Sequence, residues 1–255
     1  MAIELALTAD ARWGCSLDDL IPAAARAGFA GISMRAGIDV DHVNELLRAS
    51  RVRCHEVLAL TITNEPGVSV AQAEQLAATA SAVGAPWVLT IFRAPPAGEV
   101  AAIIKRCAEI VTAAGAAMAV EFSPFGPVNS IARGLEVVEL ASTASSRAGL
   151  MIDTWHFTVG PSTWHDLETV PIDKVAYLQF DDGREPIGDD LMHETLDRRA
   201  LPGEGTFDVE RFATTLLERG FDGVVSAEVL MAELLDLPSD VIATRIHDAM
   251  ARYWR

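Results

Sequence analysis

The chain alternates short runs of apolar and β-branched residues with longer runs whose apolar positions recur every three or four residues. The short runs occupy 3–8, 30–35, 52–61, 86–92, 117–122, 149–154, 175–182 and 223–230, and each predicts a strand. Between and after them, the longer period predicts helices over 16–28, 39–50, 69–83, 99–114, 131–146, 163–168, 207–220 and 238–254. Ser16 stands where an N-cap belongs, and Gly28 stands where a helix stops. Several strand runs, such as MAV before Glu121 and LMI before Asp153, are apolar on both faces, as parallel strands covered by helices are. Eight strand–helix units in 255 residues predict an α/β fold, a single-domain (β/α)8 TIM barrel over 1–255. A doubly wound sheet is the competitor, but it carries a glycine-rich turn after its first strand. Here 7–14 reads LTADARWG, and neither GxGxxG nor GxxxxGK[ST] occurs anywhere.

Charge narrows the partners. The formal net charge is −16, which excludes a nucleic-acid partner and disfavours an anionic membrane surface, because both need clustered Lys and Arg. No apolar run is long enough to span a bilayer, and the first residues lack the pattern of a secretory leader. The expected location is cytoplasmic. Cys15, Cys54 and Cys107 are odd in number and widely spaced, so they form neither a disulfide framework nor a CxxC metal site. They read as small buried residues in a reducing compartment.

Four of the apolar runs end on oxygen donors: Glu121, Asp153, Gln179 and Glu228. Taken singly, each is a solvated strand end or a helix cap. Taken together they are three carboxylates and a carboxamide at one mouth of a barrel. Such a cluster is costly unless a cation joins it. One divalent ion resolves the repulsion. An all-oxygen set suits Mn2+ first, with Mg2+, Co2+ and Zn2+ as the other candidates.

Other residues surround that set. His156 follows Asp153 by three positions and is a candidate ligand, substrate partner or proton carrier. Within RCHEVLAL, alternation turns one of His55 and Glu56 into the barrel, and His55 is taken as a substrate contact. Arg198 precedes LPGEG, where Gly203 and Gly205 let a loop fold tightly over the mouth. Its guanidinium is a candidate grip on a substrate oxyanion or a ligand carboxylate, and Arg199 beside it is not separable on these grounds. Arg93 stands at a strand end as a candidate anion clamp, as does Arg35. Trp155, with Trp13 and Phe122, is a candidate pocket wall. His42, His165, His193 and His247 are assigned to the surface.

At these residues the chain resembles the xylose isomerase-like TIM-barrel superfamily of sugar phosphate isomerases and epimerases. The resemblance spans nearly the whole chain and is strongest from Glu121 onward. It implies metal ligation by Glu121, Asp153, Gln179 and Glu228, and it implies roles for His156 and for the loop of Arg198, Gly203 and Gly205. DTWHF, YLQFDD and RRALPGEGTFD are also similar to the 3-dehydroshikimate and inosose dehydratase branches. Many members carry Glu in a G-[apolar]-E-[apolar]-R pattern, where this chain reads GISMR with Ser33.

The resemblance implies enolate chemistry on a small hydroxy-ketone: a keto-sugar, an inosose or another cyclic hydroxy-ketone. Glu121 and Glu228 take and return the α-proton and His156 assists. The expected activity is isomerisation or epimerisation, with dehydration as the alternative. A non-catalytic metabolite-binding barrel is the third reading. A homodimer is expected at most as an assembly of two copies. Endonuclease IV shares the superfamily, but its zinc-binding histidines and DNA partner do not fit this chain.

Overall fold

In the computed structural model, residues 3–254 are described; Met1, Ala2 and Arg255, the ends of the 1–255 span, lie outside them. Eight parallel strands close into a barrel. They are β1 (Glu4–Leu7), β2 (Gly31–Arg35), β3 (Arg53–Ile62), β4 (Trp87–Phe92), β5 (Ala117–Glu121), β6 (Ala148–Asp153), β7 (Val175–Gln179) and β10 (Val224–Ala227). The barrel closes where β1 pairs with β10, from Glu4 opposite Val224 to Leu7 opposite Ala227. The outer ring holds α1 (Leu17–Ala27), α2 (Val40–Ser50), α3 (Pro66–Val83), α4 (Glu99–Ala113) and α5 (Ile131–Ala141). It continues through α7 (Trp164–Thr169), α9 (Val209–Glu218) and α10 (Ser239–Met250). Ser16 accepts from the Asp19 N–H at the start of α1, and Gly28 stops the helix at φ 110°. The helix boundaries differ from the periodicity at several ends, including α10, which stops at Met250 rather than 254. Pro66 starts α3 one turn early, because proline suits a first helical position, and α5 stops at Ala141.

The large core lies between strands and helices, and a smaller one fills the barrel with Leu58, Leu89, Ala119, Met151 and Tyr177. Side chains alternate along a strand, so the residue two further on faces the same way. Ala119 leads to Glu121, Met151 to Asp153, Tyr177 to Gln179 and Ser226 to Glu228. The strand register sets Asp153 beside Gln179 and Ser226 beside Gln179. The four oxygen donors therefore form the top layer inside one mouth.

Strand β3 breaks the simple alternation. Its pairing with β2 passes from Ile32–Cys54 to Ser33–Glu56, so His55 is an extra residue in a bulge. Both His55 and Glu56 then reach polar groups of strands across the barrel, where alternation allows only one of them. His55 Nε2 lies 3.0 Å from Ser226 Oγ, while Glu56 accepts from Thr8 at 2.7 Å and from the Tyr177 hydroxyl.

Further short elements follow β6 and β7, largely where loops are expected. Helix α6 (Thr154–Val159) starts directly at the end of β6, capped by Asp153. Helix α8 (Leu191–Asp197) sits within the polar loop after β7, between the short strands β8 (Asp182–Gly183) and β9 (Arg199–Ala200), which pair antiparallel. The three cysteines are free, with Cys54 and Cys107 buried. His42, His165 and His193 lie toward solvent, but His247 is half-buried with its ring edge-on to Phe29 at 5.1 Å.

Candidate active site

A cavity of about 220 Å³ opens at the mouth formed by the C-terminal ends of the strands. Its floor carries Glu121, Glu228 and His156, and Arg93 and Arg199 stand in its walls. The other walls are largely apolar, with Leu58, Leu89, Ile91 and Phe125 from the barrel side and Met192 and Leu196 from α8. The size suits one small molecule rather than a drug-sized ligand.

Each polar group at the floor is held by the element that brings it there. Asp153 ends β6 and caps α6, accepting the His156 N–H at 2.8 Å. That cap turns the His156 ring back over the mouth, where its Nε2 lies 2.9 Å from Glu121 Oε1. The other oxygen of Asp153 accepts from Arg199 Nη1 at 2.8 Å. The same Nη1 reaches Asp181 and lies 3.3 Å from Glu228 Oε2. Burial alone raises the Asp153 carboxyl, but the charges of Arg199 and His156 and the His156 N–H hold it below the usual carboxylate range. Glu228 is pushed well above that range by burial, which the Arg199 charge does not offset and which Glu121 and Asp153 reinforce. Asp181 is pushed up by burial and by its neighbour Asp153, against the pull of Arg199. Arg199 stays charged: burial opposes its ionisation, and the surrounding carboxylates outweigh it.

The loop that carries Arg199 is clamped from below. The Asp182 carboxylate accepts the N–H groups of Gly183, Gly203, Gly205 and Phe207 at 2.8–3.0 Å. A Cβ on Gly205 falls 2.3 Å from Asp182 Oδ1, so only glycine permits this fold of the loop. The pairing of β8 with β9 puts Gly183 opposite Arg199 and turns that side chain into the barrel. Arg198, one residue earlier, points the other way. It donates to Glu194 at 2.8 Å and to the Glu185 carbonyl at 2.8 Å, and it is not part of the cavity wall.

The remaining sequence-based candidates divide by place. Arg93 lines the cavity from the end of β4. Trp155 is fully buried behind the site, stacked on Phe125 at 5.8 Å, with the Arg199 guanidinium 5.6 Å from its ring. It backs His156 and Arg199 without lining the cavity. His55 lies in the layer below the mouth, and burial depresses its pKa to about 3. Arg198, Trp155 and His55 therefore do not meet the cavity where a substrate contact requires it. Sequence reasoning left Arg199 unseparated from Arg198 and passed over Asp181 and Asp182. The doubled carboxylate of QFDD was the available signal for the last two.

The donor chemistry fits a divalent cation. Gln179 is fully buried beside Asp153, and neither its amide nitrogen nor its oxygen makes a hydrogen bond of ordinary geometry, although the amide lies near enough to Glu56 to pull that carboxyl down. An amide left without partners in a ring of three carboxylates is what a cation ligand looks like before its ion is counted. Among the described residues, no three His, Cys, Asp or Glu side chains are drawn into a closed cage. Glu121 is turned to His156, and Asp153 and Glu228 are turned to Arg199.

Comparison with known proteins gives the family and the fold. A model of the family described as xylose isomerase-like TIM barrel matches residues 21–248. An inosose isomerase of Halalkalibacterium halodurans is 30% identical over 141 residues, 54% of this chain and 48% of that protein. The chain thus spans about half the length of the curated relatives it matches. Among solved structures, the IOLI protein with a bound zinc atom superposes with a TM-score of 0.82 at 20% identity, over 98% of this chain and 99% of that one. The D-allulose 3-epimerase from Methylomonas sp. in complex with D-allulose superposes with a TM-score of 0.75 at 17% identity, over 99% and 98%. No helix of the described residues is long and apolar enough to cross a membrane.

Proposed function

The chain belongs to the xylose isomerase-like TIM barrel family, and on that footing we propose that it is a divalent-metal-dependent isomerase or epimerase of a keto-sugar or polyol-derived hydroxy-ketone. One observation carries the reading: Glu121, Glu228 and His156 share the floor of a single small cavity, beside an unpartnered Gln179. The curated relatives named inosose isomerase support the substrate class. Glu121, Asp153, Gln179 and Glu228 would hold the ion. Their all-oxygen character favours Mn2+, while the zinc-bound structural relative keeps Zn2+ in the set. When bound, the ion supplies Lewis-acid stabilisation of the negative charge that builds on the substrate oxygen as the α-proton leaves.

The chain's own residues do the rest. Glu121 comes from β5 and Glu228 follows β10, so the two carboxylates approach a bound ketone from different sides. One takes the α-proton and the other returns it. Delivery to the neighbouring carbon isomerises the substrate, and delivery to the opposite face of the same carbon epimerises it. Glu121, hydrogen-bonded to His156, suits the base, and Glu228, facing the same cavity from another strand, suits the partner that returns the proton. The apolar walls and α8 keep bulk water from the carbanion. Arg93, exposed and cavity-lining, is placed to bind an oxygen at the far end of the substrate.

Dehydration is the second reading, favoured by the hydrogen bond of His156 to Glu121 at the cavity floor. A proton passed from that pair to a β-hydroxyl releases it as water after the α-proton has gone.

Chelator-stripped protein, reloaded with Mn2+, Mg2+, Co2+ or Zn2+ and incubated with keto-sugars, inososes and 3-dehydroshikimate in D2O, tests the proposal. The expected result is ion-dependent deuterium at the α-carbon without loss of water. Deuterium or proton loss accompanied by an unsaturated product selects the dehydratase reading. Bound ion with no exchange from any of these ketones overturns proton abstraction as the function.

A further inference from the structure

A residue beyond the four donors gathers three carboxylates of the mouth. Arg199 is fully buried, and one nitrogen of its guanidinium serves three carboxylates: Asp153, Asp181 and Glu228. Two of these belong to the proposed ion-binding set. Asp181 does not: it stands two residues beyond Gln179 on the inward face, and Arg199 is its hydrogen-bond partner. Its second oxygen is buried with no partner at all. A carboxylate kept in a buried site with half its acceptors empty is costly unless it has work in another state.

We infer that Arg199 is the resident counter-ion of the mouth, balancing Asp153 and Glu228 while the divalent ion is away and withdrawing to Asp181 alone when the ion arrives. The inference rests on the metal-dependent reading above. The physical argument is charge balance. Three buried carboxylates facing one another need a cation in either state. The guanidinium supplies one charge when no ion is bound, and the ion supplies two when it is. The movement asked of Arg199 is small. Its backbone is fixed by the β8–β9 pair and by the Asp182 clamp, and its Nε and Nη2 are tied to Thr195 at 3.1 Å each. Only Nη1 has to change carboxylates, and Asp181 offers it an empty oxygen. Arg199 is thus a positioning residue: it keeps the ligand carboxylates in place for the ion and then leaves them.

Thermal melts of the full chain, stripped with chelator and titrated with Mn2+ or Zn2+, test this without any substrate. Parent protein, Arg199→Met, Arg199→Lys and Asp181→Asn are compared. A ligand that binds only the folded state raises the melting temperature with its own concentration dependence, so the midpoint reads affinity. In Arg199→Met the metal-free melting temperature falls, the ion restores most of the loss, and the ion midpoint drops by about tenfold. In Asp181→Asn the midpoint rises by about tenfold, because Arg199 has no second seat and stays on the ligands. Arg199→Lys keeps the charge but loses the bonds to Thr195, so its metal-free melting temperature falls while its ion midpoint stays nearer the parent than that of Arg199→Met.

A merely structural Arg199 predicts something else: Arg199→Met loses the same stability with and without ion, or moves the midpoint in the same direction as Asp181→Asn. Either result overturns the inference, as does an Arg199→Met chain that stays unfolded at saturating ion. A parent protein whose melting temperature no divalent ion changes removes the metal reading itself, and the inference with it. That outcome is separate from the others because it appears in the parent alone.

Discussion

Two layers of polar groups lie inside the barrel, two residues apart where β7 and β10 carry both, and they solve burial in opposite ways. The lower layer joins His55, Ser226, Thr8, Glu56 and Tyr177. Hydroxyls pass hydrogen bonds around this ring, and both oxygens of Glu56 are satisfied. Burial raises the Glu56 carboxyl to about 7, against the hydrogen bonds from Tyr177 and Thr8, and lowers the His55 imidazole to about 3. Both groups therefore tend to neutral forms, and the layer needs no ion. The upper layer is Glu121, Asp153, Gln179 and Glu228, with Asp181 above. It relies on the Arg199 cation and on the His156 ring, and leaves the Gln179 amide, one Asp181 oxygen and His156 Nδ1 without partners. His55 Nδ1 is the one such atom in the layer below. A barrel that can close its polar groups in one layer and leaves them open in the next has the open layer as its working surface.

The largest effect expected from that contrast is on turnover. Glu121→Gln and Glu228→Gln each remove a proton acceptor from the upper layer while keeping shape, and a fall of roughly 10²- to 10⁴-fold in kcat is expected for whichever ketone the protein turns over. Steady-state kinetics check it, with circular dichroism confirming the fold. Full turnover in both variants with the ion bound breaks the comparison, because the open layer then has no catalytic work.

The next effect is on stability against pH, and it belongs to the lower layer. Between about 4.5 and about 7 the unfolded chain has released the Glu56 proton that the folded chain retains, so this contribution to stability falls as pH rises. His55 has the opposite sign. From 6.5 down to about 3 the unfolded chain takes a proton that the folded chain refuses, so its contribution falls as pH falls. Each slope is about 1.4 kcal/mol per pH unit, and over the shared window they cancel. Relative to the parent chain, Glu56→Gln is expected to gain stability as pH rises from 4.5 to 6.5, and His55→Gln to lose it. Urea denaturation at half-unit pH steps gives both slopes. Slopes of the same sign in the two variants refute the neutral-layer account.

The smallest effect sharpens the same point. Tyr177→Phe leaves one Glu56 oxygen without its donor, at a cost of about 1–3 kcal/mol in stability. Turnover, measured on the same samples, is expected to stay within a few-fold of the parent, since Tyr177 sits a layer below the cavity. A large loss of kcat with little loss of stability assigns Tyr177 to the chemistry instead.

How much of this was legible beforehand varies residue by residue. Glu121, Asp153, Gln179 and Glu228 were readable because each interrupts an apolar run at its end, and strand direction sends such ends to one mouth. Arg198 and Arg199 were not separable, because adjacent residues differ only in the side of the chain they face. That side is set by the pairing of β9 with β8, a contact between segments sixteen and more residues apart. His55 and Glu56 defeated simple alternation because a bulge is defined by the neighbouring strand's register, which one strand does not contain. Trp155 looked like a pocket wall from composition alone. The cap of α6 by Asp153 swings His156 to the cavity and leaves Trp155 behind it, against Phe125.

Periodicity and strand-end chemistry are local properties, and from them come the eight-unit barrel and the four oxygen donors at its mouth. Which arginine enters, which carboxylates share it and which polar layer is left open depend on register, bulges and a loop held by one carboxylate. Those are long-range contacts, formed only when distant segments meet, and the order of residues along the chain carries them only implicitly.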